Sequence, residues 1–196
     1  MDQQGKYYKE KHTIDLIKAN KFGLRVLLLT LTLSLLLFYL VWGNSALTKF
    51  KDLIAMEGVG SVLSGMAIFF AALIGGIVAH ELIHGIFWAL FARKGFRSIK
   101  LDILKQYLTP YCHCKEPLKV KHYIIGAMMP AVILGIIPTI MAIILGFPGW
   151  LLFGIFFISS AGGDFLMINL LQKEDKNAWT QDHASEPGYY MFRKEE

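Results

Sequence analysis

Four apolar runs, each long enough to cross a bilayer and separated by the chain's charges, constrain this sequence more than any other feature. A hydrocarbon core of about 30 Å is crossed by about 20 helical residues. In lipid every backbone polar group must be satisfied within the spanning structure, which restricts an apolar run of this length to a helix. The runs cover about residues 22–42, 62–91, 123–147 and 150–171. Of the 196 residues, 55% are hydrophobic and 18% are charged. A soluble domain spreads its charges over every surface helix, whereas these cluster between the runs. The expected fold is therefore an all-α membrane protein with about four transmembrane helices. The second run is too long for a perpendicular crossing, so it should tilt or project into water. Pro130 and Pro138 should kink the third.

The connections carry their own patterns. Leu47, Phe50, Leu53 and Ile54 share one helical face, with Asn44 or Ser45 as N-cap and Gly58 as a stop, which predicts a short surface helix. Ile99, Leu101 and Ile103 alternate with Lys100 and Asp102 before Pro110. That period of two predicts a short strand or hairpin beside the membrane. Three regions follow: an N-terminal segment 1–21, a transmembrane domain 22–172 and a tail 173–196.

Charge gives the orientation. The N-terminal segment through Arg25 carries six Lys and Arg, the loop after the first run two, the 93–121 loop eight, the turn after Phe147 none, and the tail four. The positive-inside rule then places both termini and the 93–121 loop in the cytoplasm of a multi-pass cell-membrane protein. The formal charge of +5 is spent on these flanks. No basic stripe carries interleaved aromatics for stacking bases, so nucleic acid is not an expected partner. Cys112 and Cys114, one residue apart, form no disulfide framework.

Chemistry enters at Ala79-His80-Glu81-Leu82-Ile83-His84-Gly85. Positions i and i+4 lie on one helical face, so His80 and His84 can offer imidazole nitrogens to one metal ion. Glu81, rotated by about 100°, can stand beside that ion and act as general base. Zinc is the expected metal, one per chain, because it accepts histidine and carboxylate ligands and acidifies bound water. Each ionisable group at a helix centre in lipid costs roughly 2.5–3.5 kcal/mol on insertion scales. Three of them at metal spacing in an apolar run therefore mark a function.

Catalytic zinc takes three protein ligands. Asp164 is the only carboxylate inside the fourth run, 14 residues after Trp150, while His80 lies 18 after Val62. At about 1.5 Å per residue these are depths of about 21 and 27 Å from one side, and both runs cross in the same direction. Asp164 is the expected third ligand, with Glu174 or Glu186 in the tail as the alternatives. His113, between the two cysteines, reads as part of a solvated hairpin, and Asp182-His183 in the tail as lying away from the metal.

These pieces resemble the site-2 protease class of intramembrane zinc metalloproteases, which place H-E-x-x-H on one span and an aspartate ligand on a later one. The chain is similar in particular to a smaller bacterial family of zincin peptidases. The resemblance rests on His80 to His84, Cys114-Lys115-Glu116-Pro117, the stretch from Gly126 to Pro130, and Gly162-Gly163-Asp164. It departs from site-2 proteases at Phe165, where they carry glycine, and in lacking the Asn-Pro before the aspartate. The expected function is zinc-dependent hydrolysis of peptide bonds in a membrane protein or peptide substrate at the lipid bilayer. The alternative is a non-hydrolytic metal-binding membrane protein that transports, senses or scaffolds. Glu81 argues against it, since binding alone needs no carboxylate there.

Overall fold

The computed structural model describes residues 7–55, 58–104, 109–183 and 188–194. Its helices follow the apolar runs: α1 (Leu16–Trp42), α2 (Ser45–Ile54), α3 (Val59–Phe91), α4 (Val120–Pro130), α5 (Ile137–Leu145), α6 (Pro148–Ser160) and α7 (Gly162–Leu171). Three stretches, Ile17–Trp42, Val59–Phe91 and Val120–Leu145, are long and apolar enough to cross a membrane. The pair α6 and α7, bent by 44°, makes a fourth if it counts as one span.

Local chemistry sets the boundaries. Asp15 opens α1, its Oδ1 accepting the N–H groups of Ile17 at 2.8 Å and Lys18 at 3.3 Å, two of the donors that a helix start leaves unpartnered. Asn44 stands at the head of α2 with helical backbone angles and makes no side-chain cap, so the cap expected there is one of position only. The third span does not break at its prolines. A π-helical segment, Ala131–Ile136, joins α4 to α5. Pro138 has no N–H for the carbonyl one turn back, and a widened turn accommodates the missing bond.

The all-α expectation needs correction, because a sizeable antiparallel sheet accompanies the helices. Strands β1 (Tyr7–Thr13), β4 (Leu118–Lys119), β5 (Trp179–Asp182) and β6 (Gly188–Lys194) form one sheet in the order β1-β6-β5-β4. The predicted hairpin is present as β2 (Ile99–Leu104) and β3 (Thr109–Cys114), with Leu101 opposite Cys112. β1 pairs with β6 across almost the whole chain, Tyr7 opposite Lys194 and Thr13 opposite Gly188. The aromatic residues of both strands suit a pleated, half-buried surface.

The chain forms two compact units, and the division falls inside α3 between His80 and Glu81. The unit made of Met1–Phe22, Glu81–Pro130 and Gly163–Glu196 contains both sheets. Its core includes Trp88, Cys112, Cys114, Leu118, Val120, Tyr123, Leu171, Tyr189 and Met191. The unit made of Gly23–His80 and Ala131–Gly162 is helical and centres on Phe38, Ala46, Ala142, Leu151 and Ile155. There Trp42 donates its indole N–H to the carbonyl of Ile143 at 2.8 Å. Its helices turn Leu29, Leu40, Ile68 and Ile74 outward, each between 64% and 72% exposed.

Candidate metal centre

Helix α3 runs unbroken through His80, Glu81 and His84, so the i, i+4 spacing places both imidazoles on one face. Both histidines are buried. The His84 ring stacks on Trp88, one turn further on, with centroids 4.9 Å apart and planes 13° from parallel. His84 Nδ1 lies 2.9 Å from the carbonyl oxygen of Gly126 on α4. A carbonyl only accepts, so Nδ1 carries the proton and donates it, which leaves Nε2 as the coordinating atom.

That Nε2 faces Asp164, with Oδ1 at 3.3 Å. Asp164 sits in the first turn of α7, where a helix stabilises negative charge. One ligand atom each from His80, His84 and Asp164 lies within 4.8 Å of the other two. Bonds of about 2.0–2.2 Å to a tetrahedral zinc put neighbouring ligand atoms about 3.4 Å apart, close to the His84–Asp164 separation. Two imidazole nitrogens and a carboxylate oxygen are donors that zinc takes. The three residues are therefore positioned to hold a metal ion.

Glu81 meets strand β3. Its Oε2 accepts the backbone N–H of Cys112 at 2.7 Å. The hairpin packs closely on α3 at Gly85, where a Cβ would stand 3.0 Å from Ile99 Cγ2 and 3.3 Å from Cys112 Sγ. The strand that touches Glu81 is thus β3, the partner of the 99–103 strand to which the alternation pointed. Glu116, in the quoted Cys-Lys-Glu-Pro run, accepts the N–H of Arg93 at 2.9 Å just past the end of α3, tying the hairpin's exit to that helix.

Of the alternatives, only Glu174 lies among the described residues. Glu174 accepts a hydrogen bond from Arg193 of β6 at 3.2 Å and is not in the group whose ligand atoms meet. Glu186 lies outside the described residues. Cys112 and Cys114 are free, buried thiols. Burial above all pushes their pKa up, to about 12 and about 11, so both stay protonated at neutral pH and are poor ligands and nucleophiles. His113 alternates with them along β3 and projects to the other face of the strand. The three therefore do not converge on one ion.

Sequence reasoning read Asp182 as lying away from the metal and passed over the Tyr123 hydroxyl; the structure brings Asp182 within reach of the charges of His84 and Asp164. Asp182, on β5, is buried. It accepts hydrogen bonds from the Tyr123 hydroxyl and, at 3.4 Å, from the backbone N–H of Cys114. Burial drives its carboxyl up to about 7 against those bonds, and the charges of His84 and Asp164 reach it too. Tyr111 of β3 donates to the carbonyl of His183 at 3.3 Å. The tail is thereby fastened to the strand that holds Glu81.

A helix that presents two imidazoles with a carboxylate beside the first, and takes a further ligand from elsewhere in the chain, defines the zincin class of metal centre. Residues 73–179, more than half of the chain, match the model of the family described as "Putative zincin peptidase", and the chain belongs to that family. No curated protein and no solved structure matches it.

Proposed function

We propose that the chain is a zinc metalloprotease that hydrolyses peptide bonds of membrane-associated substrates within or beside the bilayer, as the site-2 protease class does. The observation that carries this reading is the meeting of His80, His84 and Asp164 within 4.8 Å, next to a glutamate oriented by Cys112. His80, His84 and Asp164 are the ligands. A bound zinc ion supplies Lewis acidity, for the water and for the scissile carbonyl. Glu81 accepts the proton of the attacking water and returns it to the departing amine. The Cys112 N–H holds one oxygen of Glu81, so the carboxylate is oriented before substrate arrives. The Ile99–Ile103 strand of the hairpin receives the substrate by edge pairing as an extended strand, in which the peptide bond is accessible.

The membrane setting is supported by the apolar side chains that the long helices turn outward, a surface far larger than water tolerates on a monomer. The basic loops then put both termini and the β2–β3 hairpin on the cytoplasmic side. The native thiols are too buried to report this, so a cysteine must be introduced. In intact cells Thr48→Cys should react with an impermeant maleimide, and Leu101→Cys, at an exposed site on β2, only after permeabilisation. The reverse pattern would overturn the orientation.

Zinc itself is tested by elemental analysis of the detergent-purified protein. About one zinc per chain is expected, and almost none in His80→Ala or His84→Ala. Full loading of both variants would end the assignment.

A further inference from the structure

We infer that Pro130 is a positioning residue for His84. Helix α4 is α-helical from Val120 to Pro130, so the carbonyl of Gly126 would normally accept the N–H of residue 130. Proline has none. The carbonyl thus lacks its helical donor, and His84 Nδ1–H fills the place at 2.9 Å. That bond fixes which nitrogen of His84 carries hydrogen and turns Nε2 toward Asp164, 3.3 Å away.

A second observation ties the same stretch of α4 to His84. A Cβ on Gly126 would overlap the Trp88 indole ring. Trp88 stacks on the His84 imidazole and donates its own N–H to the carbonyl of Tyr123 at 3.1 Å, one turn before Gly126. The glycine admits the indole, the indole supports the imidazole, and the proline leaves a carbonyl for that imidazole to bond. The stretch from Gly126 to Pro130 thus acts on His84 from a different helix. Its consequence for zinc rests on the metal reading above; the hydrogen bond does not.

Pro130→Ala tests this, with Pro138→Ala as control. Alanine suits a helix better than proline, so neither change should unfold the protein. Pro138 follows the π segment of the same span, and its change restores an N–H to a different carbonyl. In Pro130→Ala the new N–H competes for the Gly126 oxygen. That oxygen has two lone pairs, so the bond to His84 is weakened rather than abolished. Loss of such an orienting partner costs about 10–100-fold in metal affinity; about tenfold is expected here, by chelator competition with zinc.

The structural readout is the His84 Nδ1–H resonance in protein labelled with ¹⁵N-histidine, recorded with and without zinc. Wild type and Pro138→Ala should show a slowly exchanging proton, and Pro130→Ala a proton that exchanges at least about tenfold faster. Equal exchange in all three proteins would overturn the inference, as would equal loss in both variants. A wild type that shows the protected proton yet binds no zinc would sink the metal reading and leave the positioning role standing.

Discussion

Glu81→Gln is expected to lower peptide-bond hydrolysis about 10²–10⁴-fold, the usual cost of losing a general base, with most of the zinc retained. Glutamine has almost the volume and shape of glutamate, so α3 need not shift. Its amide oxygen can still accept the Cys112 N–H that Glu81 accepts at 2.7 Å. The atoms positioned for the metal belong to His80, His84 and Asp164 and are untouched. What disappears is the basic oxygen that takes a proton from water. Uncatalysed amide hydrolysis is too slow to hide that loss. The measurement compares membrane-derived peptides by mass spectrometry in cells that carry wild type or Glu81→Gln, with zinc content determined in parallel. Identical peptide profiles from zinc-loaded wild type and variant would point to a metal-binding protein that does not hydrolyse.

The centre was legible because each part rests on a periodicity or an isolated polar residue. The helical repeat puts His80 and His84 on one face whatever packs around them. Asp164 stood out as the only carboxylate in its apolar run, and the structure brings its Oδ1 to His84. The 99–103 alternation likewise gave the hairpin. The tail sheet offered no such signal. Its strands run from two to seven residues, and Tyr189-Tyr190-Met191-Phe192 has no period of two. The pairing of Tyr7 with Lys194 joins opposite ends of the chain, which no local window reports. The carbonyl of Gly126 was invisible for another reason: backbone acceptors leave no trace in a sequence, except where a proline four residues on removes the competing donor.

Asp164→Ala is expected to weaken zinc binding by roughly two orders of magnitude, and Glu174→Ala to leave it unchanged. Zinc sites built by the protein have apparent binding energies of about 10–16 kcal/mol. Divided among the four ligands of such structural sites, that is roughly 3 kcal/mol each, and every 1.4 kcal/mol is about tenfold in affinity. Alanine at position 164 also leaves His84 Nε2 without the carboxylate oxygen that now lies 3.3 Å from it. Glu174 is not in the group whose ligand atoms meet; it accepts a hydrogen bond from Arg193, and its loss should disturb the β6 end of the sheet only. Chelator competition on the two purified variants separates the cases. If Glu174→Ala loses zinc while Asp164→Ala keeps it, the third ligand comes from the tail. The 3.3 Å approach of His84 to Asp164 is then an ordinary ion pair.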